Sequence, residues 1–363
     1  MEAGAATAAR AATLLDGGPE AYPRMLAAID TAQSAILLEV YAFARDGIGQ
    51  RFIEALAAAA RRGVRVSVMV DGWGSAADGA EVAARLREAG CEVSIYNPLV
   101  ALLAGRFRRN HRKILLVDDA VAFIGGINIG DEYGYVGERD VPHWLDLALE
   151  LRGGPVTWLS RRLRDARVPP PHDGPVRIHL SGLGGGRRLR GRYLKAIGGA
   201  RRSVLVAHAY FLPDRRLVRT ITAAARRGVS VTLILPGRSD VPLARAATRS
   251  LYGQLLRAGV RIHEWTETVL HAKAAVMDGR RLLVGSFNLD PFSLANLEAL
   301  VEVNDAAVAR EAVAWMERLA ARTPLVTAEQ LAGRSRLVRW ALDRLGLAVL
   351  RATHRIGRLL ALR

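Results

Sequence analysis

Two stretches decide the fold: AAAARRGVRVSVMVDG at residues 57–72 and TAAARRGVSVTLILPG at residues 222–237. In each, an alanine-rich segment ends in Arg-Arg-Gly and a β-branched run follows. The glycine predicts a helix stop, and the alternating apolar run predicts a buried strand. Upstream, SAILLEVYAF (Ser34 to Phe43) pairs with SVLVAHAYF (Ser203 to Phe211), and MLAAIDTA (Met25 to Ala32) with LKAIGGA (Leu194 to Ala200). Downstream, LREAGCEVSIY (Leu86 to Tyr96) pairs with LLRAGVRIHEW (Leu255 to Trp265). Helix then strand, three times over, occurs twice in the chain. That is an α/β pattern with crossover connections. A period of about 165 residues is far longer than a solenoid repeat and predicts two related domains. A proline-rich stretch, Pro169, Pro170, Pro171 and Pro175, marks the junction. The expected division is residues 1–165, residues 166–330 and a tail over 331–363.

The 363 residues carry a net charge of +17 and are half apolar. That composition excludes global disorder and points to an anionic partner. A lone Cys91 excludes an intramolecular disulfide framework and a cysteine-rich zinc site, and fits a reducing compartment. No apolar run reaches the ~18 residues of a membrane span, and the N-terminus lacks the apolar stretch of a signal peptide. Of the 52 basic residues only Lys113, Lys195 and Lys273 are lysine. A lysine that survives such an arginine bias marks a place where a compact ammonium is needed. Lys195 falls in a helix and reads as a solvated surface charge.

The other two lysines belong to a repeated constellation. His111-Arg-Lys113 is followed by Asp118, Gly125, Gly126 and Asn128. His271-Ala-Lys273 is followed, at the same spacing, by Asp278, Gly285, Ser286 and Asn288. Shuffling eight His and three Lys gives only ~0.07 such His-x-Lys pairs per chain. Alternation on a strand places His and Lys on one face. Asp118-Asp119 and Asp278-Gly279 then predict a turn, and the returning strand delivers the Asn beside them. The small Gly and Ser residues are expected to let a ligand approach the backbone. Two such half-sites give two imidazoles flanking an anion held by two ammoniums and two amides, which suits a phosphodiester. No carboxylate cluster suggests Mg²⁺, so no metal or cofactor is expected.

These residues resemble the duplicated signature of the phospholipase D superfamily over almost the whole chain. RRNHRKILLVDDAVAFIGGINIGDEY and LHAKAAVMDGRRLLVGSFNLDPFS, followed by NLEA, are similar to the bacterial cardiolipin synthase branch in particular, with Gly-Gly replacing the commoner Gly-Ser in the first. The resemblance implies two α/β domains with mixed central sheets, related by a pseudo-twofold and sharing one active site. It implies a phosphohistidine mechanism with His111 as nucleophile and His271 as general acid, then base. Asp118 and Asp278 would stabilise the turn. It also implies a carboxylate from the opposite half on each His: Glu298 on His111 and Asp146 on His271.

Two regions favour a lipid partner. Leu99 to Leu103 run through Arg106, Phe107, Arg108 and Arg109 into the first His, as in a loop that meets headgroups. Between Arg334 and Arg363 lie eight arginines and one acid, Asp343. On a helix Arg344, Arg351, Arg355 and Arg358 share one face, opposite Leu345, Val349, Leu350, Ile356 and Leu360. Nucleic-acid binding would call for aromatics among the basic residues, and the tail holds only Trp340. The expected protein is a peripheral enzyme on the cytoplasmic face of an anionic phospholipid membrane. It would make cardiolipin from phosphatidylglycerol and a second phospholipid. A lipid hydrolase and a metal-independent nuclease of the same fold are the alternatives. A catalytically silent membrane-binding module is disfavoured by the intact His and Lys of both halves.

Overall fold

The computed structural model describes residues 10–102, 107–134, 142–169, 174–182, 185–239 and 241–332. The expected C-terminal amphipathic helix lies outside these residues, as do positions 103–106 of the loop before His111.

The first half opens with β1 (Ala12–Asp16) and α1 (Gly17–Asp30). β2 (Ala35–Val40), α2 (Gly47–Arg61), β3 (Arg65–Asp71), α3 (Gly79–Glu88) and β4 (Glu92–Tyr96) follow. It closes with β5 (Ile114–Val117), β6 (Val121–Gly125) and β7 (Leu147–Arg152). After α4 (Gly154–Arg164), the second half runs β8 (Val176–Leu180), α5 (Gly186–Gly199), β9 (Ser203–His208), α6 (Arg215–Arg226) and β10 (Ser230–Pro236). Then come α7 (Pro242–Arg249), α8 (Tyr252–Arg257), β11 (Arg261–Trp265), β12 (Lys273–Met277), β13 (Arg281–Gly285), β14 (Ala299–Val303), α9 (Ala306–Ala321) and α10 (Ala328–Ala332).

Each half builds a seven-stranded sheet, β1-β7-β6-β5-β2-β3-β4 and β8-β14-β13-β12-β9-β10-β11, and the two orders correspond strand for strand. β2, β3 and β4 are parallel, as are β9, β10 and β11, because α2, α3, α6 and the α7–α8 pair cross over between them. The remaining neighbours are antiparallel, so both sheets are mixed.

Local sequence explains the elements. Asp46 caps α2 by accepting from Gly49 N at 2.9 Å, and Asp214 caps α6 by accepting from Leu217 N at 2.9 Å. The glycines of the two Arg-Arg-Gly stops, Gly63 and Gly228, both adopt φ +87°, the left-handed conformation that ends a helix. The turn between β5 and β6 places Asp118 and Asp119 at φ +52° and +55°, suited to a tight hairpin.

Three cores hold the layers. α1, α2 and α3 cover one face of the first sheet, and α5 to α8 cover one face of the second. The opposite faces share a core: Ile114, Leu116, Ile124 and Leu149 meet Ala274, Val276, Leu282 and Val301, with Trp315 and Met316 of α9. Because β5 and β12 are covered on both sides, ILLV and KAAVM are buried throughout. Truncating a fully buried leucine here, such as Leu282, removes about 2–5 kcal/mol.

Candidate active site

The two motif histidines are placed by backbone bonds that cross between halves. His111 N donates to Leu297 O at 2.9 Å, and Leu297 N donates to Arg109 O at 2.9 Å. His271 N donates to Leu145 O at 2.7 Å, and Leu145 N to Val269 O at 2.8 Å. His111 and Lys113 therefore precede β5 and are not part of it. These crossing bonds replace pairing within their own sheet, which corrects the expectation of a continuous His-Lys strand. In the second half β12 starts only at Lys273.

The residue after each bridging leucine is a buried carboxylate. Glu298 Oε2 lies 3.1 Å from His111 Nδ1, and Asp146 Oδ2 lies 2.6 Å from His271 Nδ1. With Nδ1–H directed to the acid, Nε2 of each ring is the nitrogen left for chemistry. His111 Nδ1 also lies 3.1 Å from Ser286 O. All four side chains are buried, as are Lys113 and Lys273. Lys113 Nζ donates to His111 O at 2.8 Å and sits 4.9 Å from the Tyr41 ring centre. Lys273 Nζ lies 3.1 Å from His271 Nε2 and 3.9 Å from Asp146 Oδ2.

Burial and crowding of charge tune these groups. Desolvation and then the neighbouring Lys273 charge lower the Lys113 ammonium to about 7, against the pull of Glu298 and Asp146. Burial raises the Asp146 carboxyl to about 7, with Lys273 pulling against it. Burial lowers His111 below the ordinary imidazole range, although Glu298 opposes the shift.

The motif asparagines are in different states. Asn128 Nδ2 donates to Tyr133 Oη at 2.6 Å and its Oδ1 accepts from Ala42 N at 3.2 Å. Asn288 is buried, and its Oδ1 has no hydrogen-bond partner among the described residues. The motif aspartates are remote from the rings. Asp118 accepts from the backbone N–H of Gln33, Ser34 and Ala35, and Asp278 from Arg201, Arg202 and Ser203. Each ties its hairpin to the start of the neighbouring strand. Lys195 is exposed on α5.

The glycines serve a purpose different from the one expected. A Cβ on Gly126 would stand 2.3 Å from Asp146 Oδ1, and one on Gly125 2.4 Å from Leu147 O. They make room for the chain's own carboxylate strand and not for a ligand. At the equivalent of Gly126 in the second half, the Ser286 hydroxyl donates to the Glu298 carboxylate.

Several functional neighbours escape sequence reasoning. Tyr41 meets the His111 ring edge-on at 4.8 Å, while Tyr133 and Trp144 pack on His271 at 5.4 and 5.6 Å. Beside His111 a polar network joins Asp71 Oδ2 to Asn110 N (2.8 Å), Asn110 Nδ2 to Glu39 (3.0 Å), and Arg112 to Glu39 (3.4 Å). The matching ladder positions of the second half are Pro236, Leu270, Ala207 and Ala272. The signal was the polar-for-apolar difference between repeats. No set of three or more His, Cys, Asp or Glu able to hold a metal occurs among the described residues.

Comparison with known proteins bears on this centre. A family model described as "Cardiolipin synthase, PLD-like domain" matches residues 25–135 and 193–320. Cardiolipin synthase B of Escherichia coli K12 is 37% identical over 313 residues, spanning 80% of this chain and 76% of that protein. A cardiolipin synthase of Geobacillus kaustophilus is 33% identical over 76% of this chain and 59% of its own length. The crystal structure of a phosphatidylserine synthase from Haemophilus influenzae Rd KW20 shares the fold, with TM-score 0.73 over 96% of both chains at 14% identity.

Proposed function

The chain belongs to the cardiolipin synthase family of phospholipase D-like phosphatidyltransferases, and on that premise we propose that it makes cardiolipin through a phosphohistidine on His111. The observation that carries this reading is the crossed arrangement of two buried imidazoles, each held at Nδ1 by a carboxylate of the opposite half.

His111, kept neutral by burial, attacks the phosphorus of the donor lipid through Nε2. The bond from phosphorus to the headgroup oxygen breaks, and that oxygen takes a proton from His271. Asp146 stabilises the imidazolium before the transfer. The terminal hydroxyl of phosphatidylglycerol then gives its proton back to His271 and attacks phosphorus. The nitrogen–phosphorus bond breaks, cardiolipin leaves, and His111 is restored. Lys113, Lys273 and the Asn128 and Asn288 amides stabilise the charge on the phosphoryl oxygens. Glycerol is released when the donor is phosphatidylglycerol, and ethanolamine when it is phosphatidylethanolamine.

A peripheral position on the cytoplasmic membrane face fits the surface. Exposed Leu99, Val100 (71%) and Phe107 precede His111 in the chain, and the exposed Trp73 (52%) meets Arg109 of the same stretch, its ring centre 5.2 Å from the guanidinium. Tryptophan and arginine of this kind suit a headgroup layer. No helix among the described residues is long and apolar enough to cross a membrane.

The test is incubation with vesicles of labelled phosphatidylglycerol without added metal. Cardiolipin with free glycerol is expected. Phosphatidic acid alone would make the protein a hydrolase, and DNA cleavage without lipid turnover a nuclease.

A further inference from the structure

A cavity of about 1150 Å³ opens between α7, α8 and α10, and none of His111, Lys113, His271 or Lys273 lines it. Four arginines do: Arg238, Arg245, Arg249 and Arg257. No carboxylate is among the described lining residues. Glu264 behind the wall balances part of this charge, 3.2 Å from Arg249 and 4.0 Å from Arg245. Arg245 Nε is buried with no hydrogen-bond partner among the described residues. Arg238 and Arg257 make no ion pair among the described residues, and both are exposed. The rest of the described wall mixes apolar Ala246, Leu251, Leu256 and Leu331 with polar Ser239, Ser250, Gln254 and Gln330. On either side of the lining Pro242 in sequence, Val241 and Leu243 are exposed, the latter by 58%.

We infer that this cavity binds a second anionic glycerophospholipid, its phosphodiester held by the arginines and its glycerol and upper acyl carbons by the apolar wall. The inference rests on the lipid-transfer reading above. Guanidinium forks match phosphate oxygens, and four of them around one space favour an anion over a zwitterion. The volume exceeds what a bare phosphate fills and suits an amphiphile. Val241 and Leu243 provide the contact with the leaflet from which the lipid enters. α7, which lines the cavity, is tied to the segment beside the catalytic centre: Thr248 donates to Phe211 O at 2.9 Å, and the adjacent Tyr210 ring lies 6.3 Å from that of His271.

The test uses full-length His111→Ala protein, which does not consume lipid, titrated calorimetrically with monomeric dihexanoylphosphatidylglycerol. Two lipids per chain are expected. Adding Arg238→Gln and Arg257→Gln should weaken one of the two sites at least tenfold and leave the other. Ala246→Leu, which fills the apolar wall without changing charge, should have the same effect should the arginine pair disturb folding. One lipid per chain from the outset, or two undiminished in both variants, would overturn the inference. So would inorganic phosphate binding as tightly as the lipid, which would make this a simple phosphate site. Failure of the wild-type protein to turn over phosphatidylglycerol is a separate result that sinks the lipid-transfer reading while the stoichiometry is still read.

Discussion

His271 receives its position from Leu145: the His271 N–H donates to the Leu145 carbonyl at 2.7 Å, and the residue after Leu145 is Asp146. His111 stands in the same relation to Leu297 and Glu298. One backbone bond thus sets both the imidazole and the carboxylate that orients it. Asp146→Asn and Glu298→Gln should keep this bond and lose the charge. Each is expected to lower kcat by about 10²- to 10⁴-fold with little change in KM, since the ring loses its tautomer and its counter-charge. A matching rise in KM would show that the acids serve substrate binding instead.

The two halves should respond in opposite ways to exchange of their small residues. Gly126→Ser pushes a Cβ into the Asp146 carboxylate, so it should displace that acid and cost activity by 10²-fold or more. Ser286→Gly creates no clash and removes a hydroxyl that donates to Glu298 and accepts from Ala299 N at 3.0 Å, a loss of about 1–3 kcal/mol in stability. Equal effects in thermal melts and rates of the two variants would contradict this asymmetry.

Binding should weaken in alkaline solution. Lys113, lowered to about 7 by burial and by Lys273, is charged below that value and neutral above it in the free enzyme. An anionic phosphodiester binds the ammonium form, so KM should rise with pH above about 7, approaching tenfold per unit. In Lys113→Arg the charge persists, and this limb should vanish even as kcat falls. A KM profile of the variant that still bends near 7 would assign the titration to another group.

The turn aspartates should govern stability. Slight desolvation opposes ionisation of Asp118, but the N–H groups of Ala35, Gln33 and Ser34 hold its carboxyl below the usual range, and Asp278 behaves alike. Their stabilising effect is present above the ordinary carboxylate pKa and is lost as pH falls through the lowered folded value. Asp278→Ala should cost about 1–2 kcal/mol in denaturant unfolding, with activity tracking the folded fraction. Unchanged unfolding would leave the aspartate without this purpose.

Trp73→Ser combined with Val100→Ser should reduce binding to phosphatidylglycerol vesicles about tenfold, or ~1.4 kcal/mol. Turnover of a monomeric short-chain lipid should fall much less. Co-sedimentation separates the two, and unaltered vesicle binding would remove this face from the membrane contact.

Sequence alone reaches far here because the chain is duplicated. Comparing Gly63 with Gly228 reveals paired helix stops, and comparing His111 with His271 exposes the constellation despite its burial. The edge strands β1 and β8 stayed hidden, since Ala12–Asp16 and Val176–Leu180 are short and gain their order from β7 and β14. The purpose of Gly126 was equally hidden. It depends on the position of Asp146, twenty residues on, which no local pattern records. Tyr133 and Trp144 reach His271 only through the crossing of the halves.

The polar network of Glu39, Asn110 and Arg112 has Ala207, Leu270 and Ala272 as its counterparts. In a dyad formed by two identical chains, every change made on one side is imposed on the other. Tandem covalent joining lifts that constraint. One flank is free to become wet and ionic and the other dry, so an ancestral symmetry can become a division of labour between the half of His111, proposed as nucleophile, and the half of His271, proposed to handle the proton.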